Sequence, residues 1–186
     1  MTDHHILDIP SAWVARFAPM IPRAGRVLDL ACGAGRHTRL LAALGHPVLA
    51  VDLDLSHLGD VLAHSGVSAL QADLENAPWP LGEERFAGIV VTNYLHRPLF
   101  GQLAASLAPD GVLIYETFAA GNAAFGKPSN PDFLLAPGEL LALAGAHGLR
   151  VIAYEDGFSD VPKPAMLQRL CACRAGFARD KARLTP

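Results

Sequence analysis

The sequence predicts an α/β protein: a doubly wound, mostly parallel sheet of seven strands with an antiparallel last strand, covered by helices on both faces as a three-layer sandwich. Three observations carry this. Apolar, β-rich runs of roughly four to eight residues alternate with amphipathic helical segments, the pattern of parallel strands joined by crossover helices. The first run passes through an acid into a glycine turn that opens a helix, since residues 26–35 read RVLDLACGAG. The last two runs lie too close together for a crossover helix, so they pair antiparallel.

Each element follows in order. Ser11 is placed to cap a short helix over 11–19, in which Trp13, Val14 and Phe17 share a face and Pro19 and Pro22 end it. This segment covers either the ligand crevice or the sheet. Val27, Leu28 and Leu30 form a central strand over 26–31. The helix over 36–44 turns Leu40, Leu41 and Leu44 inward and meets a C-terminal cap at Gly45. A second strand spans 47–52. A helix over 55–64 buries Leu55, Leu58, Val61 and Leu62, with Gly66 after it. A third strand over 67–71 ends near Ala72, Asp73 and Leu74, and the proline-rich NAPWPLGEE reads as loop. The fourth strand, over 86–92, is nearly all apolar and ends in Asn93, Tyr94, Leu95 and His96. A helix over 98–107 starts at Pro98 and buries Leu99, Phe100, Leu103 and Leu107. Pro109–Asp110–Gly111 turns into the fifth strand, GVLIYETF. Residues 118–136 form a long irregular, lid-like insertion, a kind of loop that is usually functional or disordered. A helix over 137–147, strands over 149–155 and 167–174, and a loose tail complete the chain. No repeat is present, and one domain spans 1–186 with its core over 24–174.

Bulk properties narrow the function. The chain has 186 residues and a net charge of −3, and its basic residues do not gather into a long patch. That argues against a nucleic-acid partner. No apolar run approaches the ~20 residues that cross a bilayer, and MTDHHILDIP has no secretory pattern, so a cytoplasmic location is expected. Three cysteines make no disulfide framework; Cys171 and Cys173 share one strand face and read as buried apolar residues. The eight histidines show no ligand spacing, and no metal site is expected. The oligomeric state stays open.

The turn carries the chemistry. Gly33 and Gly35 bring backbone close to a ligand. In a dinucleotide site the third glycine of G-x-G-x-x-G packs helix against strand, but Thr38 stands there. Asp29, at the strand end, would repel a pyrophosphate, whereas it would attract the ammonium and sulfonium of S-adenosylmethionine. The segment VLDLACGAGRHTRLLAALGHPVLAVDLD resembles the first two motifs of the class I S-adenosylmethionine-dependent methyltransferases. The run GKPSNPDFLLAPGEL is similar to a segment of small bacterial members related to the tellurite-resistance type.

The resemblance implies a Rossmann-like sheet whose seventh strand opposes the other six. It also implies S-adenosylmethionine as cofactor and S-adenosylhomocysteine as product. The turn residues Asp29, Ala31, Cys32, Gly33 and Gly35 would line the cofactor site, Asp52 would bind the ribose hydroxyls, and Leu53 would flank the adenine. Ala72 and Leu74 would contact the adenine, and Asp73 would bind its amino group or act as a plain turn acid. Thr92 and Asn93 would stand beside the methyl donor. Tyr94 and His96 either touch the substrate or pack under the next helix. His37 binds the cofactor carboxylate, reaches the substrate, or lies on the surface. Arg97, Tyr115, Glu116, Thr117 and Lys127 are further substrate candidates. The expected reaction is in-line displacement of the sulfonium methyl by a small-molecule nucleophile, with donor and acceptor held at about 3–3.5 Å. A thiol, selenol or other chalcogenide needs only deprotonation, whereas a hydroxyl needs a base such as His96 or His37. Two other readings share the crevice: a non-catalytic cofactor sensor or accessory protein, and a nicotinamide-dependent oxidoreductase.

Overall fold

The structure is a computed structural model that describes residues 9–183. Its strands are β1 (Val27–Leu30), β2 (Val48–Asp52), β3 (Val67–Gln71), β4 (Phe86–Thr92), β5 (Leu107–Phe118), β6 (Arg150–Ser159) and β7 (Ala165–Cys173). Four α-helices accompany them: α1 (Ala12–Phe17), α2 (Arg36–Ala43), α3 (Phe100–Ala105) and α4 (Glu139–Ala146). One sheet holds all seven strands in the order β3-β2-β1-β4-β5-β7-β6. β1 to β5 pair in parallel, and β7 runs antiparallel to both β5 and β6. Connection order reverses between β1 and β4, so a crevice opens where those two strands end.

Side-chain alternation builds the three layers. Leu28 and Leu30 of β1 face one way, into a cluster with Phe100 and Leu103 of α3 and Leu140 and Ala144 of α4. Val27 faces the other way and packs with Trp13, Val14 and Phe17 of α1 and Leu41 of α2. Both faces of β1 and β4 are buried, which is why their sequences are apolar without a two-residue period. Helix α1 begins at Ser11, whose hydroxyl accepts from the Trp13 N–H at 3.1 Å. The Trp13 indole donates to the Leu170 carbonyl at 3.2 Å, fixing α1 on the sheet. Helix α2 ends in a Schellman cap, with Gly45 at φ +86°, its N–H on the Ala42 carbonyl and the His46 N–H on the Leu41 carbonyl. The buried face of α2 is His37, Thr38, Leu41 and Ala42; Leu40 and Leu44 flank it half-buried.

Two segments depart from the sequence expectation. The helix over 55–64 does not form, and only a 3-10 turn over Gly59–Ala63 is present. Asp54 accepts the Ser56 N–H at 2.9 Å and Gly59 takes φ +51°, two local choices that compete with helix. Leu58 and Val61 still pack against Cys32 and Ala50, whereas Leu62 faces outward. The helix over 98–107 becomes a 3-10 turn at Arg97–Leu99 followed by α3, and Leu107 opens β5 instead. Its pairing with β4 jumps from Phe86↔Leu107 to Gly88↔Val112, a bulge that absorbs the expected turn. Gly111 is required there, because a Cβ would lie 2.9 Å from the Phe86 carbonyl oxygen. Finally, the lid-like insertion is fastened at both ends. The Ala120 N–H donates to the Leu135 carbonyl and the Leu135 N–H to the Phe118 carbonyl. Among the described residues no helix is long and apolar enough to cross a membrane.

Candidate active site

The parallel strands end at one edge of the sheet, and most of the sequence-predicted residues gather there. β2 ends in Asp52. One of its carboxylate oxygens accepts the Gly33 N–H at 2.8 Å and the other accepts the Asp54 N–H at 3.2 Å. Each oxygen has two acceptor positions, so each keeps one for a ligand hydroxyl. Leu53 beside it is 61% exposed, a large apolar side chain in contact with solvent. Gly33 has φ +53° with open space where a Cβ would stand. Gly35 has φ +76°, and a Cβ there would come within 2.9 Å of Leu58. Two non-glycine residues also take positive φ, Ala31 at +53° after β1 and Asn93 at +54° after β4. Such backbone is costly away from glycine and collects at functional sites. Here it marks the ends of the two strands that flank the crevice.

Asp29 lies beneath the turn. It is 1% exposed and accepts the Thr38 hydroxyl at 2.6 Å. Burial pushes its carboxyl up to about 7, against the pull of the Thr38 hydrogen bonds and of the Arg36 charge. An open carboxylate facing a cofactor ammonium is therefore not what the structure holds at this position. Thr38 fills with a hydrogen bond the place where a dinucleotide site needs glycine. Burial, then the Asp29 and Asp52 charges, push the Cys32 thiol far above its ordinary value, so it lines the turn as a neutral group.

Asp73 behaves mainly as a turn acid. One oxygen accepts the Glu75 and Asn76 N–H groups at 3.0 and 2.9 Å, which lowers its pKa, and the second accepts the Asn76 amide at 3.1 Å. Ala72 donates its N–H to the Asp52 carbonyl and Leu74 is buried beside it.

His37 is neither a surface residue nor a free base. Its Nε2 accepts the Ser11 backbone N–H at 3.1 Å, and its Nδ1 lies 3.3 Å from the Thr92 hydroxyl. A neutral imidazole has one donor and one acceptor, so Nδ1 carries the proton and donates to Thr92. Burial, with Arg36 adding to it, pushes the imidazole down to about 3. The ring thus joins α1, α2 and the end of β4. His96 is half-buried after β4. The Tyr94 hydroxyl is buried without a hydrogen-bond partner; burial, then the Glu75 charge, raise its pKa.

Three substrate candidates are engaged or buried within the protein. Arg97 binds both oxygens of Glu139, at 2.6 and 2.9 Å, and donates to the Asp132 and Leu134 carbonyls. It holds the insertion through those carbonyls. Tyr115 is buried, stacks on Phe100 and donates to the Tyr94 carbonyl at 2.9 Å. Thr117 is buried as well. Strand pleating explains both: Tyr115 and Thr117 share one face of β5, while Glu116 and Phe118 share the other.

On that other face lies a cavity of about 290 Å³. Its walls come from Ile9 and Pro10 ahead of α1, from Arg36 and Asn93, and from Glu116 and Phe118 of β5. Val161, Pro162 and Lys163 of the β6–β7 hairpin and Leu167 and Arg169 of β7 complete it. Glu116 is clamped by Arg169 at 2.6 Å, and Arg169 also pairs with Glu155 at 2.9 Å. Lys127, exposed in the insertion, is not among the lining residues; the lysine at the cavity is Lys163. Sequence reasoning missed Arg36, Lys163 and Arg169. One signal was available: an antiparallel seventh strand begins at the edge where its parallel neighbours end, which brings the hairpin before it to the site. Among the described residues no group of three or more histidine, cysteine or acidic side chains could hold a metal.

The fold has known counterparts. A family model described as a methyltransferase domain matches residues 3–163. No curated protein matches the chain. Among solved structures, TehB from Haemophilus influenzae is similar with a TM-score of 0.70 and 19% identity, over 86% of this chain and 61% of that one. The chain therefore spans less than two thirds of that relative. An S-adenosylmethionine-dependent methyltransferase from Mesorhizobium loti gives a TM-score of 0.68 at 19% identity, over 88% of this chain and 99% of that one. The 1,6-didemethyltoxoflavin-N1-methyltransferase from Burkholderia thailandensis, with bound 1,6-didemethyltoxoflavin and S-adenosylhomocysteine, gives 0.63 at 20% identity, over 87% and 78%. At these identities the likeness is one of fold.

Proposed function

Because the chain belongs to the methyltransferase-domain family, which its residues 3–163 match, we propose that it moves a methyl group from S-adenosylmethionine to a small-molecule nucleophile. One observation carries this reading. The Asp52 carboxylate, held by the Gly33 N–H, keeps a free acceptor position on each oxygen beside exposed Leu53 and the open face of Gly33. A nucleoside fits those features, with its ribose hydroxyls on Asp52 through charge-assisted hydrogen bonds and its base against Leu53. The Asp73 oxygen with fewer partners and the Ala72–Leu74 backbone suit the edge of the base. Arg36, directly after the turn, makes no ion pair among the described residues and suits the cofactor carboxylate. When bound, the cofactor supplies a methyl group activated by its positive sulfur.

The acceptor belongs in the cavity on the far side of Asn93. Along the sheet edge the order is Asp73 on β3, Asp52 on β2, the glycine turn on β1, Asn93 on β4, then the cavity over β5 and β7. Thr92 and Asn93 therefore stand between nucleoside and acceptor, where methyl donor and nucleophile must meet. With His37 neutral and engaged at both nitrogens, and Glu116 paired to Arg169, neither serves as a general base. That favours a nucleophile that ionises readily, such as a thiol. The chain's contribution is alignment and exclusion of water. In this reading 1–186 is one domain, and 118–136 is its lid-like insertion. A cytoplasmic setting belongs to the same proposal, and the three free thiols fit a reducing compartment.

Calorimetric titration tests it. S-adenosylhomocysteine should bind and NAD should not. Asp52→Ala should weaken S-adenosylhomocysteine at least tenfold, about 1.4 kcal/mol, while the variant still unfolds cooperatively. Wild-type affinity in Asp52→Ala would remove the ribose assignment, and binding of NAD alone would remove the reading.

A further inference from the structure

We propose that the cavity beyond Asn93 takes an organic acid, an apolar body bearing a carboxylate that Lys163 holds. This rests on the reading of that cavity as the acceptor side, and it adds the chemical class of the acceptor.

Charge accounting at the cavity supports it. Four charged side chains line it: Arg36, Glu116, Lys163 and Arg169. The one acid, Glu116, is already neutralised by Arg169 at 2.6 Å, and Arg169 is held a second time by Glu155. Arg36 donates to the Ile9 carbonyl in the cavity wall at 3.4 Å and makes no ion pair among the described residues. Lys163 remains, on the hairpin between β6 and β7, with no ion pair or hydrogen bond among the described residues. The cavity therefore presents uncompensated positive charge and no free negative one. A cationic acceptor would meet like charge, whereas an anion would complete the pair.

The remaining walls set the other half of the molecule. Ile9, Phe118, Val161 and Leu167 are apolar, and Ile9 and Val161 are 66% and 69% exposed, large hydrophobic side chains at the cavity with little packed on them. A bare inorganic oxyanion would leave those surfaces in water, and an organic body would cover them. At roughly 30 Å³ for each water-sized unit, about 290 Å³ holds about ten non-hydrogen atoms. That is the size of a benzoate with one further substituent.

The experiment uses 4-mercaptobenzoate and its neutral isostere 4-mercaptobenzamide, each titrated by calorimetry into the full chain with and without saturating S-adenosylhomocysteine. The carboxylate is expected to bind at least tenfold more tightly than the amide. Lys163→Met should bring the two within about twofold, Lys163→Arg should keep the preference, and neither should change S-adenosylhomocysteine affinity. Inorganic sulfate should compete at least tenfold less well than the carboxylate. Equal binding of the two thiols, no binding of either, or a preference that survives Lys163→Met overturns the proposal; equal competition by sulfate overturns its organic half. Failure of S-adenosylhomocysteine to bind removes the methyl-transfer reading, while the titrations without it still decide whether Lys163 selects an organic anion.

Discussion

Thr38 donates its hydroxyl to the Asp29 carboxylate across 2.6 Å, at a place where neither side chain reaches water. Helix α2 is thereby bolted to β1 directly below the glycine turn. A carboxyl buried this way folds more readily as the neutral acid, which is why its pKa rises to about 7. The folded state then holds a proton that the unfolded chain releases from about pH 4 upward. Asp29 therefore lowers stability progressively as pH rises from about 4 to 7, and its penalty is constant above that. Asp29→Asn keeps an acceptor for Thr38 and cannot ionise. Relative to wild type, it should gain roughly 2–3 kcal/mol between pH 5 and pH 8 by urea unfolding. A pH-independent difference between the two proteins would mean that Asp29 is ionised throughout.

His37 has the opposite sign. Its pKa falls to about 3, so the unfolded chain takes up a proton that the folded imidazole refuses. Its stabilising contribution is full above about pH 6.5 and is lost as pH falls toward 3. Between about pH 4 and 6.5 it opposes Asp29, and the wild-type profile there is expected to be flat. Nitrogen-15 spectra of the histidine rings should show His37 as the Nδ1–H tautomer with shifts unchanged from pH 5 to 8. Titration of that ring in this range would return it to the list of possible bases.

The histidine also shows which information was local and which was not. The acid at the end of β2, the glycines of the turn and the cap at Gly45 were legible because strand, turn and helix are contiguous. His37 was ambiguous because its partners lie 26 residues earlier, at Ser11, and 55 residues later, at Thr92. The partner of Arg97 was hidden for the same reason, since Glu139 is 42 residues away. Tyr115 and Thr117 were chosen together with Glu116 because β5 is buried on both faces, which erases the alternation that would have told the faces apart. Lys163 needed the hairpin itself, whose register brings the start of β7 beside Phe118. The missing helix over 55–64 was apolar at helical spacing, but Gly59 in left-handed backbone ends it before it begins.

Arg97 ties the insertion to the end of β4 through both Glu139 oxygens and two backbone carbonyls. A forked, charge-assisted set of this kind outweighs an ordinary surface pair, although the guanidinium is partly exposed and solvent weakens it. Arg97→Met should cost about 1–2 kcal/mol in urea unfolding. Its local signature is faster hydrogen exchange at the Leu135 amide, which bonds to Phe118 across the base of the insertion. Unchanged exchange there would show that the main-chain bonds at Ala120 and Leu135 hold the insertion without Arg97.

Gly33 and Gly35 both take left-handed backbone, yet they should fail differently when changed to alanine. At Gly35 a Cβ would lie 2.9 Å from Leu58 and 3.2 Å from Val61, both buried against Cys32. Backbone strain and overpacking then act together, for a loss of about 2–4 kcal/mol. At Gly33 the same atom meets nothing, so only the backbone cost of about 1–2 kcal/mol applies. That open space is where the proposed nucleoside must pass, and its N–H is the one that orients Asp52. Gly33→Ala should therefore be the more stable variant and the poorer binder of S-adenosylhomocysteine. Gly35→Ala should bind better per folded molecule. Denaturation and calorimetry on the same two preparations separate the effects, and a reversed order of affinity would place the ligand on the other side of the turn.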